Sequence, residues 1–169
     1  MRFLIILIFL ISNSFADDAT NINNLVIHKE LKKYDSLTFL NIKKEQLNLN
    51  DYKGNLVLLN FWATWCAPCK EEMPSLDNLQ KNKKLDNLII FPINVGQDDL
   101  DKASNFFEEL KVKNLELFFD DKITLAKKFG LRGIPTSILF NKEGQEFARI
   151  IGSIDFDDKK FINWLKSYN

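Results

Sequence analysis

Two side chains in this sequence are suited to chemistry at sulfur: Cys66 and Cys69, within FWATWCAPCKEEMP, Phe61 to Pro74. They are the only cysteines in 169 residues, and the only histidine, His28, is remote from them in the chain. A CxxC pair can staple a fold, hold a metal or exchange electrons. A staple across so short a loop removes little chain entropy, and a domain of this size does not depend on one. Structural zinc needs four Cys or His ligands, usually as two pairs, so no metal site is expected. Copper(I) held between two thiolates stays open chemically, although no histidine lies nearby. Thiol–disulfide exchange fits the pair best.

Exchange needs one sulfur as thiolate and a second within its reach. Leu56 to Phe61 (LVLLNF) is a nearly continuous apolar run after Gly54-Asn55, as a buried strand would be. From Ala67 onward the spacing is helical, with Met73, Leu76 and Leu79 on one side. Pro74 must kink that helix, because it removes the bond to the carbonyl of Lys70. The cysteines therefore fall between a strand end and a helix start. There, free backbone N–H groups and the positive end of the helix dipole favour thiolate at the first sulfur. Its pKa moves from about 8.5 toward neutrality. The second sulfur, three residues on, can attack a mixed disulfide formed by the first. Cys66 is the expected nucleophile and Cys69 the resolving thiol.

The rest of the chain must position this junction. LIIFPINV (Leu88 to Val95) reads as a second buried strand, and DDLDKASNFFEELK as an amphipathic helix with Asp98 and Asp99 at its N-terminus. Leu115 to Phe119 predicts a short strand, and KITLAKKFG a short helix closed by Gly130. TSILF (136–140) and FARII (147–151) form a hairpin across Asn141–Gly144, and DDKKFINWLKSY a final amphipathic helix. Ahead of LVLLNF lie two short strand-and-turn stretches. This order predicts an α/β fold with a central mixed sheet and helices on both faces. KNKK (81–84) is expected as a solvated helix end and His28 as a surface residue.

Composition excludes little but points away from nucleic acid. Lys+Arg and Asp+Glu balance at 23 each, hydrophobic content is 46%, and fifteen Phe supply core volume. Met1-Arg2, the apolar run Phe3–Ile11 and the small residues Ser14 and Ala16 form an export signal. The run is too short to span a bilayer, which takes about 20 residues. The expected division is a signal peptide over 1–16, a polar leader over 17–36 and one domain over 37–169, in a compartment where disulfides persist. An uncleaved anchor is the alternative to cleavage after Ala16.

NFWATWCAPCKEEMPSL, LRGIPTSILFNKEG and the final helix together resemble the TlpA/ResA-like disulfide reductases, exported proteins of the thioredoxin fold. The resemblance runs from Leu37 to Tyr168. It implies a thioredoxin-like domain with an N-terminal β-hairpin and a central insertion over Asp98–Phe119. It implies that Cys66 and Cys69 form the redox-active disulfide, that Trp65 shields the nucleophile, and that Pro135 is a cis-proline opposite the cysteines. Ile134 would offer its backbone to an extended client segment. Ala67 and Pro68 would tune the potential, and Pro68 leans it toward reduction. Asn60 stands where cytosolic thioredoxins carry a proton-handling Asp, and an amide cannot take that task. Glu72, three residues after Cys69 on the same helical face, matches a glutamate of the ResA-like branch. Half-buried beside two sulfurs, it would have a raised pKa and relay the resolving thiol's proton. The alternative is a solvated Glu, as neighbouring Glu71 is expected to be. The implied partners are client protein disulfides and a membrane thiol donor for re-reduction, with no cofactor, acting as a periplasmic monomer. By the same resemblance the clients are apocytochrome c or the copper-site thiols of cytochrome oxidase. A thiol oxidase or isomerase, or a non-catalytic copper(I)-handling or adaptor protein, is the competing reading.

Overall fold

The computed structural model describes residues 22–169. The expected signal peptide and the start of the polar leader lie outside the described residues. Strand β4, Leu56–Trp62, is buried at every position. Its side chains alternate between two apolar clusters: Leu56, Leu58 and Trp62 enter one, Val57, Leu59 and Phe61 the other. A strand apolar on both faces must lie between two layers. β4 pairs in parallel with β5, Leu88–Asn94, and antiparallel with β7, Thr136–Phe140. Beyond β7 come β8, Glu146–Ile151, and the edge strand β1, Leu25–Lys32. Beyond β5 come β6, Phe118–Phe119, then the hairpin of β2, Thr38–Asn41, and β3, Gln46–Asn48. The full order is β1-β8-β7-β4-β5-β6-β2-β3.

Helices α1 (Ala67–Gln80), α2 (Leu100–Glu109) and α4 (Lys159–Lys166) cover the Leu58 face through Met73, Leu76, Phe106, Phe107, Phe161 and Trp164. The short α3, Thr124–Lys128, covers the other face through Leu125. Helices thus lie on both faces, as the order of elements predicts. Pro74 sits inside α1 on its exposed side. Only Phe118 and Phe119 of the strand expected over Leu115–Phe119 join the sheet. Buried Asp77 on α1 accepts from the Lys113 and Asn114 N–H groups at 3.0 and 2.7 Å. That contact holds the stretch before Leu115 against α1, and Leu115 turns into the cluster beneath the helices.

The leader is shorter than its composition suggests, because the eight residues of β1 belong to the sheet. What recruits them is Glu146 on β8, whose side chain is 0% exposed. It accepts from Arg149 Nε and Nη2 at 2.6 and 3.0 Å and from the Tyr34 hydroxyl at 2.6 Å. Its Oε1 also lies 2.5 Å from His28 Nε2. His28 is therefore not a surface residue but a 13%-exposed partner of a buried carboxylate. Arg149 reaches on to the Phe129 carbonyl at 2.9 Å, which ties β1, β8 and the end of α3 together.

Burial pushes the Glu146 carboxyl up, but the hydrogen bonds from Arg149, Tyr34 and His28 outweigh it and hold it at about 2, against an ordinary 4.5. A depressed carboxylate stabilises the fold above its ordinary value, and that contribution is lost as pH falls through about 2. Glu146→Ala leaves the partly buried Arg149 guanidinium without its carboxylate and is expected to cost about 3 kcal/mol in denaturant unfolding. Glu146→Gln should remove this group's share of the acid loss of stability expected as pH falls from about 4.5 to about 2, measured by denaturant unfolding at a series of pH values.

Candidate active site

The junction between β4 and α1 is the chemical centre. β4 ends at Trp62, and Cys66 is the extended N-cap of α1, with its Sγ accepting from the Cys69 N–H at 3.3 Å. That N–H is one of the unpaired donors at a helix start, so the cap aims a donor at the outer sulfur. Pro68 fits the first turn because its missing N–H would have no intrahelical partner there. The two sulfurs are joined as a disulfide, with the Cα atoms 5.3 Å apart. Their burial differs: Cys66 is 5% exposed and Cys69 is sealed at 0%. Trp65 is exposed at 69%, and Ala67 and Pro68 are also on the surface.

Pro135 opens β7, and the Ile134–Pro135 peptide is cis. The β4–β7 register, with Phe61 opposite Thr136, sets Pro135 next to Trp62 at the same end of the sheet as the cysteines. The Pro135 carbonyl accepts from Gly152 N–H at 2.9 Å. Among the described residues no backbone hydrogen bond engages Ile134. Its N–H and C=O are free for an incoming extended chain.

Glu72 lies deeper than the half-buried position its spacing suggests: it is 3% exposed. Asn60 Nδ2 donates to its Oε1 at 2.8 Å, and Ile154 N–H to its Oε2 at 3.4 Å. Burial pushes the Glu72 carboxyl up to about 8, against the opposing pull of those two donors. Glu71, next to it, is exposed. Glu72 also lines a cleft of about 660 Å³ with Ser75, Ile154, Asp155 and Lys160.

An amide cannot relay a proton, but Asn60 touches the buried carboxyl of Glu72. Its Nδ2 also donates to Ser137 Oγ at 3.0 Å, while its Oδ1 is buried without a partner. The Asn60–Glu72 contact was not legible, because it depends on α1 crossing the Leu58 face of β4. Nothing in the sequence marks Ser137, and Asp98, expected with Asp99 at the start of α2, bonds instead to Thr64 in the active-site loop. A clue to Asp98 was available: of two adjacent Asp before a helix, only one can be its N-cap. Among the described residues no group of three His, Cys, Asp or Glu lies close enough to hold a metal ion.

A carboxyl raised to about 8 favours the folded state while it keeps its proton, and this contribution is lost as pH rises from 4.5 through about 8. The oxidised protein should lose stability across that window by up to about 1.4 kcal/mol per pH unit. Glu72→Gln should flatten the curve there, measured by denaturant unfolding at a series of pH values.

Comparison with known proteins converges on the same chemistry. Residues 27–145 match the AhpC/TSA family. The thiol-disulfide oxidoreductase ResA of Bacillus thuringiensis subsp. konkukian is 30% identical over 121 residues, covering 72% of this chain and 69% of that protein. The ResA of Bacillus subtilis is 33% identical over 110 residues, 65% of this chain and 60% of its own. Among solved structures, a putative thiol:disulfide interchange protein DsbE from Chlorobium tepidum superposes with a TM-score of 0.70 at 24% identity. That match covers 82% of this chain and 96% of the other, and it speaks to the fold alone. The pneumococcal exposed lipoprotein thioredoxin from Streptococcus pneumoniae gives 0.64 at 26% identity, over 78% and 98%. With a thioredoxin-like sheet carrying its CxxC at a helix N-cap, the chain belongs to the AhpC/TSA family and, within it, to the ResA-type thiol-disulfide oxidoreductases.

Proposed function

We propose that this protein is an exported reductase of specific protein disulfides, working in the periplasm as a monomer, with Cys66 as nucleophile, Cys69 as resolving thiol and Glu72 as the proton acceptor. The observation that carries the reading is the graded burial along one helix: an outer sulfur at 5% exposure, an inner one at 0%, and a 3%-exposed carboxyl one turn further on. In the dithiol form, the Cys66 thiolate attacks a client disulfide, forming a mixed disulfide and expelling one client thiolate. Cys69 then gives its proton to Glu72 and attacks Cys66 Sγ. The second client thiolate leaves, and the Cys66–Cys69 disulfide seen here remains. A base near 8 is well matched to a thiol of ordinary pKa about 8.5.

The client would lie along the face formed by Trp65, Ile134 and Pro135, adding a short strand to the free backbone of Ile134. Ala67 and Pro68, exposed between the two sulfurs, would set the potential, and the absence of a histidine there favours the reducing direction. Clients of cytochrome c maturation, or of copper-site assembly in cytochrome oxidase, have vicinal cysteines that suit such a reaction. Electrons would return through a membrane thiol donor, since the periplasm holds no general reducing buffer.

Cys69→Ser removes the resolving step and should trap the client on Cys66 as a mixed disulfide in cells. Recovery of one or a few defined proteins with paired cysteines is the expected result. Recovery of abundant thiol proteins in proportion to their concentration would contradict a dedicated client.

A further inference from the structure

The segment that presents the nucleophile, Ala63–Cys66, belongs to neither β4 nor α1. It closes on itself through Cys66 N–H to the Ala63 carbonyl at 3.2 Å. Its middle is held from outside, by Asp98 in the loop after β5. Asp98 Oδ2 accepts the Thr64 N–H at 3.0 Å, and Oδ1 accepts the Thr64 hydroxyl at 2.7 Å. Oδ2 also takes a hydrogen bond from Asn94 Nδ2 at 2.9 Å. Val95 N–H donates to the Trp62 carbonyl at 2.9 Å, so the same loop also grips the end of β4 just before the segment.

Two further observations mark this as a built contact. A Cβ at Gly96 would lie 2.6 Å from Ala63 Cβ, 2.7 Å from Asp98 Oδ2 and 3.1 Å from Trp65 Nε1. Only glycine lets the two loops approach so closely. Asp98 is also not used by the helix beside it, because Asp99 caps α2 through the Lys102 N–H at 2.8 Å. Burial pushes the Asp98 carboxyl up. The hydrogen bonds from the Thr64 backbone, Asn94 and the Thr64 hydroxyl, with the charge of Lys102, outweigh it and keep the group below its ordinary range. The clamp is therefore a set of charge-assisted hydrogen bonds, the stronger kind.

We propose that Asp98 is a positioning residue for thiol–disulfide exchange, clamping Thr64 so that Trp65 and Cys66 Sγ keep one geometry in both the disulfide and the dithiol form. The inference rests on Cys66 being the nucleophile. Asp98 itself gains and loses no proton or electron. Its effect is alignment: displacement of a reacting atom by about 1 Å can cost on the order of 10²-fold in rate.

The test measures, in the full reduced protein, the rate of reduction of a small peptide disulfide and the pH dependence of Cys66 alkylation by iodoacetamide, with the label mapped by peptide analysis. Asp98→Ala is expected to slow reduction about tenfold, the scale of one lost charge-assisted hydrogen bond. It should also move the Cys66 titration to higher pH, because the sulfur no longer sits squarely on the Cys69 N–H. Asp98→Asn keeps an acceptor for the Thr64 N–H, and the hydroxyl can reverse its bond, so it should stay within about threefold of the wild type. Thr64→Val, which deletes only the hydroxyl contact, should fall between them and serves as the deciding variant if Asp98→Ala does not fold. Wild-type rate and titration in Asp98→Ala, or in Thr64→Val where that variant decides, overturn the clamp. Equal damage in Asp98→Asn and Asp98→Ala overturns it too, pointing to charge rather than geometry. Labelling of Cys69 instead of Cys66 in the wild type overturns the nucleophile assignment beneath it.

Discussion

The 2.8 Å hydrogen bond from Asn60 to Glu72 ties the central strand to the helix that carries both sulfurs. Its energetic logic is that of a buried polar pair. A carboxyl at 3% exposure is costly to ionise, and one amide donor with a long bond from Ile154 offsets only part of that cost. The group therefore keeps its proton up to about pH 8. A neutral Glu accommodates the apolar face around it, while an ionised one is always close to regaining its proton. That tension suits a proton acceptor to a thiol of similar pKa. Two donors set it, Asn60 and the Ile154 N–H, and Asn60 is itself held by Ser137 across the β4–β7 register.

The same strand–helix junction accounts for the rest of the site. β4, apolar on both faces, must run through the middle of the sheet, so its end delivers the CxxC to the sheet rim. The helix start then places the Cys69 N–H on the outer sulfur and seals the inner one behind it. The antiparallel register brings Pro135 to the same rim. The loop after β5 closes against the segment before Cys66, with Gly96 as the point of closest approach. Far from this rim, the Glu146 cluster keeps β1 on the sheet and leaves the site's geometry to local contacts.

The elements closest to the chemistry were the most legible. Continuous apolar runs with turn residues on each side marked β4 and β5 within a residue, because burial on both faces leaves no alternative pattern. The CxxC and the proline of GIPT carried enough local identity to place the rim. LVIHKELK reads as part of a strand-and-turn stretch and does form β1, but its place beside β8 was not legible, since it is mostly polar and its partner, Glu146, lies more than a hundred residues away. His28 was read as exposed for the same reason. The depth of Glu72 followed from the packing of α1 on β4. Helical spacing gives a side chain's face but not how far that face sinks. Asp98 was assigned to a helix start when its neighbour Asp99 takes that role and frees it for Thr64.

The central claim is that Glu72 accepts the proton of the resolving thiol. It is tested most directly by forming a mixed disulfide between Cys66 and a small thiol and following its release by Cys69 across pH, in the wild type and in Glu72→Gln. The account predicts a wild-type rate that rises with pH and levels off above about 8. In the variant it should be slower by about 10²-fold near neutrality and without that inflection. The same rate and the same pH profile in both proteins would contradict it.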